Sequence, residues 1–331
     1  MKGGIAAAMQ HADTRQRALE EWASQWLGTP AQAEPVSGDA SFRRYFRFRD
    51  GGRSYIGMDA PPPEDCTAFV RVARLFGEAG VHVPEIIAQD LERGFLLLSD
   101  LGSRTWLDVL DEHNADERFP GAMDALIRIQ MASRPGVLPE YDATLLRREL
   151  ELFPQWYLAH HLNMEPDTAM QAALDQVFDM LVEHALGQNR VWVHRDYMPR
   201  NLMDADPDPG VIDFQDAVYG PISYDPVCLF RDAFVSWPEQ RVEAWLSEYW
   251  RRARDAGVPV PDECGAFLRD CDLMGVQRHL KVIGIFARIQ YRDGKPGYLE
   301  DVPRFFGYLR GAIARHPELS PLGDVLREIG E

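Results

Sequence analysis

The sequence predicts an α+β protein in two lobes, a small antiparallel-sheet lobe followed by a larger, mostly helical one. Three observations carry this. Strand-like apolar runs cluster in the first hundred residues, where Asp50-Gly51-Gly52 joins the runs 42–49 and 55–59 in a hairpin. Beyond Gly102 the apolar residues recur with the 3.6-residue period of buried helix faces. One compact block, 191–214, interrupts those helices with short apolar runs separated by turns.

Taken in order, residues 13–27 form an amphipathic helix, and Gly28, Pro30, Pro35 and Gly38 then break any regular pattern. The hairpin follows, its second strand ended by Pro61-Pro62-Pro63. A helix over 64–80 leads to two more strands, 83–87 and 94–98. The lobe boundary falls at Ser99-Asp100-Leu101-Gly102, dividing the chain into 1–102 and 103–331. Helices are predicted over 105–111, 122–133, 143–160 and 167–187, and after the interrupting block over 225–236, 239–256, 262–291, 302–316 and 322–329.

A chain of 331 residues with 46% hydrophobic content can build the cores of two lobes. Its formal net charge of -17 argues against nucleic acid or an anionic membrane as partner, since both require a basic footprint. A small neutral or cationic substrate fits more easily, and a local basic pocket would admit an anion. No signal peptide or membrane-spanning run is legible, so a cytoplasmic protein is expected; separately, a monomer is expected. The four cysteines lack C-x-x-C or metal-ligand spacing and read as free thiols.

The block VWVHRDYMPRNLMDADPDPGVIDF holds Asp196, Asn201 five residues later and Asp213 twelve beyond that. Phosphoryl transfer asks a protein to position groups and neutralise charge, and this layout supplies the parts. Asp196 would accept the proton of the acceptor hydroxyl, Asn201 would hold a metal ion, and Asp213 would chelate Mg²⁺ bridging the nucleotide phosphates. Asp and Asn also populate ordinary turns, but their union here with a strand, a turn and an apolar-Asp-Phe end is specific. His194 has a structural task beneath the loop, and Asp225 caps its helix and braces the loop. Nucleotide is expected in a cleft between the lobes. Ser99 and Leu101 offer a backbone carbonyl and N–H to the adenine edge, and Leu98 and Ile212 sandwich the ring.

These residues resemble the aminoglycoside phosphotransferase and choline kinase superfamily, with HRDYMPRN similar to its catalytic loop, IDFQDA to its metal-binding segment and LLLSDLG to its hinge. The resemblance implies a bilobal protein-kinase-like fold and ATP- and Mg²⁺-dependent transfer to a small-molecule hydroxyl. GDASFRRYFRF, MDAPPPEDCTAF and RHLKVIGIFARIQYRDGKPGYLEDVPR further resemble the anomeric sugar kinases of bacterial cell-wall recycling, which phosphorylate C1 of N-acetylmuramate and N-acetylglucosamine.

One departure stands out. The superfamily places a lysine on its third strand, whereas Met58 or Asp59 stands there in this chain, and its only lysines are Lys2, Lys281 and Lys295. Arg43 and Arg44 are the candidates to offset the phosphate charge by bidentate bonds, with Ser41 and the backbone of the turn 38–41 covering the phosphates. For the acceptor, Arg278, Lys281, Arg288 and Arg292 share a helical arc of roughly 80°, and this basic face would receive the lactyl carboxylate. Tyr298 would stack on a sugar ring. The resemblance adds Gln215, Asp216, Arg231 and Asp232 as sugar contacts. Two other functions stay open: a kinase for a cationic acceptor, which would want acidic residues where this helix offers bases, and a nucleotide-binding pseudokinase, suggested by the missing lysine.

Overall fold

The computed structural model describes residues 2–36 and 43–331, with side chains from residue 14 onward. Ser41 and the turn 38–41 lie outside the described residues. The chain forms two compact units, Met1–Arg104 with Met203–Asp216, and Thr105–Leu202 with Ala217–Glu331.

The first unit opens with helix α1 (Lys2–Leu27), which starts earlier than the amphipathic stretch predicted from residue 13. Strands β1 (Glu34–Pro35), β2 (Arg44–Asp50), β3 (Arg53–Asp59), β4 (Ile86–Asp90) and β5 (Phe95–Ser99) make an antiparallel sheet in the order β1-β2-β3-β5-β4 among the described residues. Asp50 pairs with Arg53 across a two-residue turn, and Gly51 and Gly52 take φ of 54° and 87°, which glycine reaches without steric cost. Leu19, Trp22 and Ala23 of α1 pack on one sheet face with Phe46, Phe48, Phe95 and Leu97. Between β3 and β4 runs α2 (Cys66–Glu78), whose start Asp65 caps by accepting from the Thr67 N–H.

The expected division at residue 102 treats the second lobe as continuous, but 203–216 joins the first unit. Its contacts give the reason. The Phe214 ring lies 4.8 Å from Phe69 and 5.8 Å from Phe76 on α2. Val211 N–H donates to the His82 carbonyl at 2.7 Å, and Asp204 N–H to that of Arg104 at 3.0 Å.

The second unit contains α3 (Trp106–Val109), α4 (Ala115–Met131), α5 (Ala143–Leu150) and α6 (Thr168–Gly187), then strand β6 (Arg190–Val193). Along the chain the short hairpin β7 (Leu202–Met203) and β8 (Gly210–Val211) follows, all but Leu202 belonging to the first unit, and then β9 (Val218–Pro221) of the second. The chain ends in α7 (Tyr224–Phe230), α8 (Glu239–Ala256), α9 (Cys264–Asp293), α10 (Val302–Arg315) and α11 (Ser320–Glu328). α9 is the spine of this unit, buried at nearly every position from Cys271 to Ile289. The single helix predicted over 143–160 divides instead into α5 and a π-helix, Phe153–His161. Pro154 brings no N–H to continue the α-helical ladder. The backbone of Leu152 also passes so close to Gly284 of α9 that a Cβ there would stand 2.3 Å from the Leu152 carbonyl carbon. α7 stops at Phe230, short of the predicted 236, because the Asp232 carboxylate takes the N–H groups of Phe234 and Val235. Among the described residues no helix is long and apolar enough to cross a membrane, and the four cysteines are free.

Candidate active site

The loop HRDYMPRN hangs from β6, which pairs antiparallel with β9, Val193 opposite Val218. Buried Asp225, one residue into α7, accepts from the backbone N–H of His194 at 2.7 Å and of Arg195 at 3.0 Å. The brace expected of Asp225 is present. Burial pushes its carboxyl up, to about 7, against the pull of those two donors, and neighbouring Asp196 adds to the rise. Arg195, which the motif alone leaves without a role, turns the chain through φ 78°, a left-handed conformation costly for a side chain of this kind. Several groups hold it there. Its carbonyl accepts from the Cys228 thiol at 3.2 Å, and its guanidinium pairs with Glu149 of α5.

Glu149 is the hub that sequence reasoning missed. It accepts from the Tyr141 hydroxyl, from Gln277 Nε2 at 3.2 Å and from Lys281 Nζ at 3.2 Å. Burial alone would raise its carboxyl, but Lys281 and Arg195 outweigh it and hold the group at about 2. A signal existed: Leu146, Glu149, Leu150 and Phe153 follow the spacing of one buried helix face, so a carboxylate among them must meet a buried cation.

Beyond Arg195, half-buried Asp196 leads to Tyr197, whose hydroxyl donates to the Ala122 carbonyl at 2.8 Å and pins the loop to α4. Asn201 ends a single 3₁₀ turn, Pro199–Asn201, and donates from Nδ2 to the Asp196 carbonyl at 2.9 Å. That bond fixes the spacing of the two motif residues and commits the amide nitrogen, so the atom of Asn201 suited to a hard cation is its oxygen.

The basic face of α9 is largely interior. Arg278 and Lys281 are buried, Lys281 between Glu149 and the Tyr224 hydroxyl. Arg278 reaches Met198 of the same loop, with Nη2 3.8 Å from the sulfur. Burial works against its charge, but Cys228, Tyr224, Asp196 and Asp232 around it raise its pKa on balance. Arg288 is half-buried and its Nε is without a partner among the described residues; burial and the nearby Arg292 lower its pKa. Arg292 is exposed and forks onto Asp293 at 2.7 and 2.9 Å. Of the other expected sugar contacts, Arg231 lies in the interior between Glu239 at 2.7 Å and Asp272 at 2.8 Å, and Asp232 is the buried turn-forming carboxylate after α7.

The first unit holds the remaining predicted residues. Asp213 stands at φ 62°, its Oδ1 accepting from buried Gln215 Nε2 at 2.9 Å, while Asp216 is exposed. Such a conformation is tolerated by Asp and clusters at functional sites. At the end of β5, the Ser99 N–H donates to the Glu85 carbonyl at 2.9 Å and its hydroxyl accepts from the Glu85 N–H at 2.8 Å. Ser99 and Leu101 both line a cavity of about 890 Å³ with the run 81–89. Between them Asp100 accepts a fork from Arg47 at 2.6 and 3.0 Å, and Arg47 also reaches the Gly102 carbonyl. Arg43 pairs with Glu64 at 2.7 Å. Arg44 meets fully buried Asp59 from one side, Nε at 3.1 Å, as Arg15 of α1 meets it from the other at 2.8 Å. Asp59, at the end of β3, is thus clasped by two arginines.

In the second unit, then, residues 196–201 form a braced loop, and in the first Asp213 stands in a left-handed turn. Residues 32–266 match the phosphotransferase enzyme family, APH, and the chain belongs to that family. It is 62% identical over 301 residues to the N-acetylmuramate/N-acetylglucosamine kinase of Pseudomonas aeruginosa, covering 91% of this chain and 89% of that protein. The protein of the same name from Neisseria meningitidis is 46% identical over 301 residues, 89% of each chain. Solved structures with the same fold include choline kinase LicA from Streptococcus pneumoniae, with TM-score 0.63, 15% identity and coverage of 90% and 99% of the two chains. The ADP-bound aminoglycoside phosphotransferase APH(2'')-Ib gives 0.59, 13%, 88% and 97%.

Proposed function

We propose that this chain is an ATP-dependent sugar kinase that phosphorylates the anomeric C1 hydroxyl of N-acetylmuramate and N-acetylglucosamine. The observation that carries the reading is its 62% identity, over 91% of its length, to a kinase named for those two sugars.

The acceptor hydroxyl gives its proton to the Asp196 carboxylate as its oxygen attacks the γ-phosphorus. The bond from that phosphorus to the β-γ bridging oxygen breaks in line, and ADP leaves with no phospho-enzyme. An anomeric hydroxyl is more acidic than an ordinary alcohol, so Asp196 acts more to orient than to force deprotonation. Asp225 and Glu149 keep the loop in register through backbone N–H groups and Arg195, and the Asn201 side chain sets its span.

Asn201 and Asp213 are the proposed Mg²⁺ ligands. The donors fit: both offer oxygen, the ligand atom that Mg²⁺ takes from one or two protein groups alongside phosphate oxygens. When bound, Mg²⁺ would neutralise charge on the β- and γ-phosphates. Ser99 and Leu101 serve the adenine edge, and Arg43, Arg44 and Ser41 the phosphates. Gln215, Asp216, Arg288 and Arg292 complete the acceptor side, with Arg231 and Asp232 acting from the interior through the walls they brace.

The test is ADP release with Mg²⁺ and ATP across N-acetylmuramate, N-acetylglucosamine, glucose, choline and kanamycin. Turnover on the two N-acetyl sugars is expected. Turnover confined to choline or kanamycin would assign a cationic acceptor instead, and none on any of them a nucleotide-binding protein without catalysis.

A further inference from the structure

Among the described residues of the second unit, Arg231, Arg278 and Lys281 are the buried arginine and lysine side chains. Arg231 pairs with Glu239 and Asp272, and Lys281 with Glu149. Arg278 makes no ion pair among the described residues. Its Nη1 is buried without a hydrogen-bond partner, and its Nη2 meets the soft sulfur of Met198. A guanidinium taken out of water with no counter-charge in contact is strongly destabilising, so its place beneath the catalytic loop points to a task.

Asp225 is the matching case among the acids. Fully buried, it commits Oδ2 to the His194 N–H and Oδ1 to the Arg195 N–H, and it too makes no ion pair among the described residues. Both bonds want the carboxylate, because protonation turns one oxygen into a hydroxyl donor facing an N–H. The titratable and charged groups around Asp225 are His194, Arg195 and Asp196 of the loop, Cys228 of α7, Tyr249 of α8 and Arg278 of α9. Burial pushes its carboxyl up to about 7 and Asp196 adds to the rise, while the two N–H donors and Arg278 pull it down. Arg195 faces Glu149, whereas no contact neutralises Arg278. Asp232 lies in the same field, with its Oδ1 already taken by the N–H groups of Phe234 and Val235.

We propose that Arg278 is a positioning residue for phosphoryl transfer: its buried charge sustains the Asp225 brace, and through that brace the place of the loop that carries Asp196. Contact with Asp225 is not required, because a dry interior screens a charge far less than water does. Without the cation Asp225 takes up its proton at a higher pH, the bonds from His194 and Arg195 slacken, and Asp196 is held less firmly. The effect therefore has a direction: the brace is complete above about pH 7 in the wild type, and removing Arg278 moves its loss upward.

The inference rests on the sugar-kinase reading for its assay. Turnover of N-acetylglucosamine is followed from about pH 5.5 to 9 in the wild type, Arg278→Met, Arg278→Lys, Asp225→Asn and the Arg278→Met, Asp225→Asn pair. Wild-type kcat should fall as pH drops through about 7. Arg278→Met should carry that acid limb up by about one pH unit, the scale of a nearby opposite charge, so that kcat is about tenfold below wild type at about pH 6 and within about threefold at about pH 9. Arg278→Lys keeps the charge and should restore the limb, and in Asp225→Asn the added Arg278→Met should displace nothing. A loss by the same factor at every pH overturns the inference as a merely structural effect, and a displacement that persists with Asp225→Asn overturns it as an action on Asp196 itself. A second readout needs no turnover: hydrogen exchange of the His194 and Arg195 amides, corrected for intrinsic rate, should lose protection as pH falls from about 8 to 6 in the wild type, and about one unit higher in Arg278→Met. Constant wild-type protection overturns the inference even should Arg278→Met fail to fold. Wild-type turnover of neither sugar overturns the sugar-kinase reading, and the amide readout then decides this inference separately.

Discussion

Glu149→Gln isolates the hub beneath the catalytic loop. The substitution keeps the volume and the hydrogen-bonding partners Tyr141 and Gln277 but removes the negative charge facing Arg195 and Lys281. Two routes give the magnitude. The carboxyl is held at about 2 against an ordinary 4.5, which at about 1.36 kcal/mol per pH unit corresponds to about 3 kcal/mol. Removing one partner of a buried ion pair costs about 3–5 kcal/mol, because the other charge is left uncompensated. Side-chain exposures of 6% for Glu149 and 8% for Lys281 leave little solvent to screen the loss. Urea unfolding at pH 7 should therefore show Glu149→Gln destabilised by about 3 kcal/mol. Its melting point should fall by about 6–12 °C, at about 2–4 °C per kcal/mol for a unit of this size. The pH dependence has a definite sign. A depressed carboxyl contributes stability that is fully present above its unfolded value near 4.5 and is lost as pH falls through about 2, so wild type and variant converge over that window. A loss below about 1 kcal/mol at pH 7, or a gap that stays constant from pH 5 to pH 2.5, would refute the assignment of Glu149 as the charge that holds the loop.

Three further substitutions separate chemistry, nucleotide handling and packing. Asp196→Asn should lose most turnover, by about 10²-fold or more, while ATP binding measured by calorimetry stays within a factor of two or so; full turnover would remove Asp196 from the reaction. Arg44→Ala should raise the KM for ATP and also destabilise the first unit, because Asp59 is then left with Arg15 alone. Restored stability but not ATP affinity in the Arg44→Ala, Asp59→Asn pair would confirm both roles, and an unchanged KM for ATP would discard the phosphate role. Gly284→Ala places a methyl 2.3 Å from the Leu152 carbonyl carbon and should cost about 1–3 kcal/mol or more by overpacking; wild-type stability would show that the π-helix can shift to make room.

Local chemistry made the catalytic strand, the Gly51-Gly52 hairpin and the long C-terminal helices readable in advance, because each is written in a few neighbouring residues. What was hidden depends on partners far along the chain. A helical wheel groups Arg278 with Lys281, but it does not say that α5 covers that face with Glu149, which is 132 positions from Lys281 in sequence. Arg195 had no legible role for the same reason, since its pair lies on α5 and its backbone brace on α7. β9 escaped notice because its four residues include Gly220 and Pro221 and gain their strand character from pairing with β6. The division of the 143–160 stretch is set by the approach of α9 at Gly284, which periodicity within the stretch does not report. The assignment of 203–216 to the first unit follows from the meeting of Phe214 with Phe69 and Phe76, again a long-range contact.

The most direct test of the central claim, γ-phosphoryl transfer to an anomeric hydroxyl, is phosphorus-31 NMR of the product made from ATP and N-acetylmuramate. The account predicts one new monoester resonance coupled to the anomeric proton, lost on brief acid hydrolysis as inorganic phosphate with the free sugar regained. A resonance coupled to the C6 protons and stable to acid would contradict it.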